Sequence, residues 1–309
     1  MFNKRITVII VTLMLMISAI ALPAAAQSAG ELTVIGKLAV VEKAIYGVAQ
    51  TGALIDRITK LEQEVSGSES KEALLPRVDT LYAHVLETSE QAPAILTKLN
   101  AVEWTLTHRV SDSAIKARIE NLETVMNGAP LSGSVDARLN KLLGLAYTDG
   151  QVEVIFTTIP KDTLIKVKTL STLNSKQSKP GDKVALAVAE DINIDGVLVF
   201  AQGASGVGKV TKVEGAKNFG RDAKIEISFD SVQSLDATNI TTYLGDKSKE
   251  ETKSLAKAAG ASVAGMVILG PVGIIGGAFV NGKDANIPIG SQLYIQTKED
   301  VEIYGIKVK

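Results

Sequence analysis

The sequence predicts an α+β protein in which short helical repeats, arranged as a bundle or solenoid, precede a small antiparallel β-barrel or sandwich. Three observations support this fold class. A helical pattern recurs six times between residues 34 and 146, and the apolar spacing changes to a two-residue alternation after Gly144. An uncharged, glycine-rich run from Ala258 to Val280 interrupts the second half, and we interpret it as an apolar helical hairpin inserted into the β domain.

Composition is consistent with two ordinary folded domains. The chain has 309 residues, of which 46% are hydrophobic and 22% are charged, and it contains no cysteine. We divide it into a signal peptide at 1–26, a repeat region at 27–147 and a β domain at 148–309, with the insertion at about 255–282. The formal net charge of -1 argues against nucleic-acid binding, which needs a strong positive field.

The first 26 residues predict export. Lys4 and Arg5 supply a charged start, an apolar core extends over residues 6–22, and Ala24, Ala25 and Ala26 resemble a signal peptidase site. We therefore expect the protein in the periplasm or cell envelope, with association to the outer membrane as one option. An uncleaved N-terminal anchor is the alternative, although the apolar core is short for a spanning helix.

The repeats predict six separate amphipathic helices. Each copy has a basic residue three positions after its first apolar residue, followed by apolar residues that share one helical stripe. Glycine, serine, proline and acidic residues between the copies indicate helix ends. The copies begin at Val34, Leu54, Leu74, Ile95, Ile115 and Val135. A helix this short must pack on its neighbours or on a second chain, so we expect the repeats to make protein contacts.

Polar residues within the repeats give no clear chemical signal. A glutamate stands eight residues after the start of four copies, at Glu42, Glu62, Glu103 and Glu123, and we interpret these residues as a solvated helix face. His84, His108 and Trp104 also lie in the repeats. Two histidines without a third ligand are a weak metal signal, so no chemistry is assigned to them.

The second half predicts about nine short strands separated by glycine and asparagine turns, a spacing typical of a closed or nearly closed antiparallel sheet. The predicted strands are 152–157, 163–169, 184–189, 197–200, 207–213, 224–229, 239–244, 292–297 and 301–308.

The apolar run is the predicted contact with a membrane or with other copies of the chain. Small residues recur at a spacing of four, which allows helices to approach closely in a lipid environment. The residues assigned to this contact are Ala256, Gly260, Ala264, Gly265, Gly270, Gly273 and Gly277. The alternative interpretation is that the run is buried within a soluble fold.

Two segments resemble ligand-binding motifs incompletely. Residues 203–209 match a phosphate-binding loop, but Val210 stands where a serine or threonine would bind magnesium, and the segment alternates as a strand. Residues 191–196, Asp-Ile-Asn-Ile-Asp-Gly, resemble the start of a calcium loop, but Gln202 replaces the final glutamate. A hairpin turn at Asp195 and Gly196 is the simpler interpretation. We predict no catalytic, metal or cofactor site and no enzymatic activity.

The β domain resembles a known family through a series of short motifs. These are Pro180-Gly-Asp182, Val188 to Gly196, Gln202 to Gly206, Phe219-Gly-Arg221, Ile225 to Val232 and Ile287-Pro-Ile-Gly290. They are similar to a β domain of exported bacterial proteins and, more distantly, to the C-terminal barrel of the TrbI-like subunit of conjugation and type IV secretion systems. In that family an apolar helical hairpin precedes the last strands and lines an outer-membrane pore, and there is no counterpart of the helical repeats.

In this chain Pro271 divides the run into halves of about 18 Å of helix each, shorter than a hydrocarbon core of about 30 Å. The resemblance therefore implies a barrel with a membrane-seeking hairpin. Together these observations favour a non-catalytic protein of the cell envelope. Its helical repeats would contact a second copy or another envelope protein, and the hairpin at 255–282 would anchor or oligomerise it at a membrane. A soluble periplasmic or secreted binding module is the alternative.

Overall fold

The computed structural model describes residues 32–215, 223–258, 267–268, 274–276 and 284–308. The predicted signal peptide lies outside these residues. Within them the protein is an α+β structure in which a helical region precedes antiparallel strands, as the sequence predicts.

The repeat region forms six helices that begin at the predicted residues. They are α1 (Val34–Tyr46), α2 (Leu54–Ser66), α3 (Leu74–Leu86), α4 (Ile95–Thr107), α5 (Ile115–Asn127) and α6 (Val135–Ala146). The side chains of Thr33 and Ser134 cap α1 and α6 by accepting hydrogen bonds from backbone N–H groups. Three helices end at a glycine in the left-handed conformation, Gly47, Gly67 and Gly128, as C-terminal caps commonly do.

Two triplets of helices make up the repeat region. The glutamate of one copy forms a salt bridge with the arginine of the next copy. The pairs are Glu42–Arg57, Glu62–Arg77, Glu103–Arg118 and Glu123–Arg138. The series is interrupted between α3 and α4, because Tyr82 and Lys98 occupy the equivalent positions. The six copies are therefore a duplicated unit of three, α1–α3 followed by α4–α6.

The strands that follow form a closed barrel and a second sheet. They are β1 (Val154–Ile159), β2 (Leu164–Thr169), β3 (Leu173–Asn174), β4 (Lys183–Val188), β5 (Ile192–Ile194), β6 (Val197–Phe200), β7 (Ser205–Glu214), β8 (Lys224–Gln233) and β9 (Asn239–Tyr243). After helix α7 (Asp246–Ala258) come β10 (Val267–Ile268), β11 (Ile274–Gly276), β12 (Asn286–Ile287), β13 (Gln292–Thr297) and β14 (Val301–Lys307).

Six strands close the barrel in the order β8-β7-β4-β2-β13-β9, because β9 also pairs with β8. The closing register places Val232 opposite Ile240. Inward side chains such as Ile165, Val184 and Ile295 are fully buried, which is the alternation expected of a small filled barrel. The second sheet has the order β1-β14-β6-β5, and β3 pairs with β12 in a short ribbon.

The described parts of the apolar insertion differ from the predicted helical hairpin. Val267–Ile268 and Ile274–Gly276 form two short antiparallel strands, and the second pairs with the first residues of β8. These segments are rich in β-branched residues, and the start of β8 offers backbone groups that β9 does not reach. Within the described residues, no helix has the length and apolar character needed to cross a membrane.

Candidate functional site

A repeated Arg–Glu contact joins consecutive helices within each triplet. In α2 and α3, Nε and Nη2 of Arg77 donate to the two carboxylate oxygens of Glu62 at 3.0 and 2.6 Å. The same carboxylate accepts a hydrogen bond from the backbone N–H of Ser70 in the connecting loop. Arg77 stands fifteen residues after Glu62 in the sequence, and Ser70 stands eight residues after it. Each glutamate therefore holds both the loop that follows it and the next helix.

Burial contradicts the interpretation of these glutamates as a solvated face. Glu42 and Glu123 are fully buried, and Glu62 and Glu103 are nearly so. Burial raises the pKa of Glu42, but hydrogen bonds from Arg57 and the backbone N–H of Gln50 outweigh burial and hold that pKa below its ordinary value.

The second triplet has the same electrostatic arrangement. Burial raises the pKa of Glu123, and hydrogen bonds from Arg138 and from the backbone N–H of Leu131 lower it by more, so it lies below its usual value. Burial lowers the pKa of Arg118, which also donates from Nη2 to Asn100 at 2.6 Å. These ion pairs are therefore parts of the packed interior.

Helix α4 connects the repeat region to the barrel. Asn100 accepts from Arg118 and donates from Nδ2 to the carbonyl of Leu235 in the β8–β9 turn, at 2.8 Å. After the helix, the backbone N–H of Val110 donates to the carbonyl of Gln202. The neighbouring Gly203 has a φ of +92°, and a Cβ there would collide with the carbonyl oxygen of Val110. The two parts of the chain are thus in direct backbone contact.

Trp104 completes this junction, which explains a residue that the sequence left without a role. Its Nε1 donates to Asp191 Oδ2 at 2.8 Å, and the other oxygen of Asp191 accepts from the backbone N–H of Gln202 at 2.7 Å. Asp191 is the first residue of the segment that resembles a calcium loop. Asp195 and Gly196, both with positive φ, form the predicted two-residue turn between β5 and β6.

The other candidate residues take ordinary structural places. Residues 205–209 of the segment that resembles a phosphate-binding loop lie on β7, as the alternation predicted. His84 contacts Asp136 across the two triplets at 2.8 Å, and His108 packs edge-on against Trp104. The part of the chain that the structure describes holds no group of three His, Cys, Asp or Glu residues suited to a metal ion.

Of the residues predicted to form the membrane contact, the structure describes one. Ala256 lies in α7. Gly260, Ala264, Gly265, Gly270, Gly273 and Gly277 lie outside the described residues. Their predicted role as a contact surface stays a prediction.

Helix α7, which leads into the insertion, is held on the barrel by buried polar side chains. Thr252 Oγ1 accepts from the backbone N–H of Tyr294 in β13 at 2.9 Å and donates to the carbonyl of Ser248. The backbone N–H of Ser248 in turn donates to Oε1 of Gln296 at 3.1 Å. No helix was predicted in this segment, although Ser248 and Thr252 lie four residues apart on one helical face.

Comparisons with known proteins give a distant structural likeness and no match in sequence. No family model matches the chain, and no curated protein matches it. Among solved structures, the chain is similar to ComB10 of the Com type IV secretion system of Helicobacter pylori, with 15% sequence identity and a TM-score of 0.26. The likeness covers 47% of this chain and 89% of that chain. It is a distant resemblance to a secretion-system protein.

Proposed function

We propose that this protein is a non-catalytic interaction protein of the cell envelope, attached to or assembled at a membrane through residues 255–282. The observation that carries the proposal is the closure of the barrel. Strand β9 pairs with β8 from Ser231 to Gln233, so the ring is complete without the apolar insertion. The strand pairing that closes the barrel therefore does not involve the insertion.

The composition of the insertion supports a contact with lipid or with other copies of the chain. No charged residue occurs between Ala258 and Val280, and glycine recurs throughout. Apolar stretches in which small residues recur at a spacing of four are typical of close helix contacts in membranes. The helix that precedes the stretch is fixed to β13 through Thr252, so the barrel sets where the insertion starts.

One observation favours the alternative, a periplasmic or secreted binding module whose apolar run is buried. Ile274 and Ile275 pair with Glu226 and Ile225 of β8, so part of the run extends the barrel sheet. A run that folds entirely onto the barrel in this way would leave a protein that needs no detergent.

Fractionation of cells distinguishes the two functions. The full chain is compared with a variant in which residues 259–282 are replaced by a glycine-serine linker, which keeps α7 and its contact with Tyr294. The proposal predicts that the full chain leaves the membrane fraction only with detergent and that the variant is extracted without it. Detergent-free recovery of both proteins would refute membrane attachment and support the binding module.

A further inference from the structure

The two triplets of the repeat region stack end to end. The C-terminal caps of α1 and α2 meet the N-terminal caps of α5 and α6: a Cβ on Gly47 would lie 3.6 Å from Ala114, and one on Gly67 would lie 3.6 Å from Ser134. The relation is the same in both cases, since each helix end meets the start of the helix four copies later. The two triplets are thus joined by two equivalent contacts.

Side chains at equivalent repeat positions form this contact. The second residue of α5, Lys116, pairs with Glu64 of α2 at 2.9 Å. The second residue of α6, Asp136, contacts His84 of α3 at 2.8 Å. Glu64 and His84 both stand ten residues after the first residue of their helices. The start of the second triplet therefore packs on the end of the first through fixed positions.

The burial of side chains also distinguishes the contact between the triplets from the two ends of the stack. The residues eleven positions after the helix start are fully buried in the first triplet, at Ile45, Val65 and Val85. In the second triplet, where no further triplet follows, Met126 at this position is 44% exposed. Conversely, the first residues of α4–α6 are buried, whereas those of α1–α3 are only partly buried. The stack has one covered contact and two open ends.

Both open ends carry apolar side chains at the contact positions. The leading face consists of the second residues of α1–α3, Ile35, Ile55 and Leu75, which are 63%, 46% and 56% exposed. The trailing face consists of Val125, Met126 and Leu145 at the ends of α5 and α6, and Val125 and Leu145 are 69% and 54% exposed. The end of α4 does not contribute, because Thr105 contacts Tyr147 and the junction with the barrel follows.

We propose that the leading face of one copy of this chain binds the trailing face of a second copy. Repeat proteins normally end in copies with polar outer faces, whereas here the positions equivalent to those of the internal contact are apolar and exposed at both ends. The occupant follows from the internal contact, in which the start of one triplet already packs on the end of another. Such a contact is head-to-tail, so each added copy leaves one face of each kind free, and assembly continues past the dimer into a ring or an open filament.

This inference goes beyond the proposed function, because it names the partner of the helical repeats and does not depend on the apolar insertion. It is tested with the full chain in detergent, by sedimentation velocity over a range of concentrations. Ile55→Lys blocks the leading face and Val125→Lys blocks the trailing face, and the like charges keep the two blocked faces from pairing with each other. Each variant alone is expected to be monomeric, with assembly at least about 100-fold weaker, since a charge is buried without a partner.

A mixture of the two variants gives the decisive result. Each retains the face that the other has lost, so the mixture is expected to form a one-to-one dimer and nothing larger. Ile289→Lys is the matched control, because Ile289 is an apolar residue on the barrel side of the chain whose exposure, 64%, lies between those of Ile55 and Val125. It should assemble as the unmodified chain does. Ile35→Lys and Leu145→Lys form a second pair if either first variant unfolds.

Three outcomes would overturn the proposal. The unmodified chain could be monomeric up to about 100 μM, a concentration at which specific protein contacts normally form. One of the two variants could still dimerise alone, which would indicate a contact between identical faces. Finally, both variants could assemble like the unmodified chain, which would place the contact elsewhere, for example in the apolar insertion, and would leave the proposed function standing.

Discussion

The carboxylate of Glu123, which is fully buried, accepts hydrogen bonds from Nε and Nη2 of Arg138 at 3.0 and 2.6 Å. The second partner of this carboxylate is the backbone N–H of Leu131, in the loop between the two helices. A contact of this kind recurs wherever a copy with glutamate precedes a copy with arginine. The repeat region is therefore held together by charges in its interior as well as by its apolar stripes.

Removal of one partner is expected to destabilise the protein strongly. Arg138→Met leaves the Glu123 carboxylate buried without its cation, and loss of one member of a buried pair costs about 3–5 kcal/mol. The double variant Glu123→Leu with Arg138→Met removes both charges and should recover much of that loss. Urea unfolding measures the free energy of unfolding of each protein.

The control for this experiment is an exposed ion pair on the barrel side. Lys176 contacts Asp284 at 2.6 Å, but the lysine side chain is 72% exposed. Asp284→Asn should leave the urea midpoint unchanged, since surface pairs contribute little. If the single and double variants at Glu123 and Arg138 were equally stable, the buried pair would have no coupling and its structural role would be disproved.

Acid should weaken the repeat region through the same glutamates. The pKa of Glu42 and that of Glu123 lie below the ordinary value of 4.5 in the folded protein. The folded state thus binds fewer protons than the unfolded state, so this stabilisation is present above about pH 4.5 and is lost as the pH falls through the lowered pKa values.

The measurement is the urea midpoint between about pH 7 and about pH 3, where carboxylates titrate. The midpoint of the unmodified chain should fall steeply at the acid end. The double variant at Glu123 and Arg138 lacks one of the two groups, so its midpoint should fall less. Parallel pH profiles for the two proteins would contradict the assignment.

The sequence predicted the helices better than their contacts. Apolar spacing locates Leu54 and Ile115 as helix starts because a short amphipathic helix must bury one stripe. It did not locate Glu62 inside, because the partner that neutralises it, Arg77, stands in the next helix. A signal was nonetheless present in the repeats: Glu62 precedes a copy with arginine, whereas the copy with Tyr82 precedes Lys98. Local periodicity cannot show such a pairing between helices.

In the β domain, too, the sequence predicted local structure but not the contacts between distant segments. Alternation located the strands of the barrel, but it did not show that β9 returns to pair with β8, because closure depends on register between distant strands. Val267–Ile268 and Ile274–Gly276 were expected in helices because glycine spacing dominates the surrounding sequence. The free part of the β8 edge, a tertiary feature, accounts for the strands instead.

Trp104 offers a direct probe of the junction between helices and barrel, because it is the only tryptophan in the chain. Asp191→Ala removes the carboxylate that accepts hydrogen bonds from the indole N–H of Trp104 and from the backbone N–H of Gln202. We expect its fluorescence emission to shift to longer wavelength as the helix separates from the barrel and the indole meets water. The protein should also be cut more readily between residues 147 and 152 by a protease.

Asp195→Asn is the matched control, since Asp195 belongs to the same short segment but lies in the β5–β6 turn, where asparagine also tolerates positive φ. Its emission should match that of the unmodified chain. Calcium should leave the emission of both proteins unchanged if Asp191 serves the junction alone. A shift produced by calcium in the unmodified chain would contradict that role.

The apolar insertion gives the prediction on which the proposed function depends. Gly273→Leu or Gly277→Leu should abolish membrane association, because a large side chain prevents the close approach that small residues allow. The barrel should remain folded, since its six strands close without the insertion.

Gly215→Leu is the control: a side chain at Gly215 would extend into open space, so both folding and membrane association should persist. Carbonate extraction of membranes measures association, and circular dichroism of the purified proteins measures folding. Undiminished membrane retention of both Gly273→Leu and Gly277→Leu would show that close packing at these glycines is not what holds the protein at the membrane.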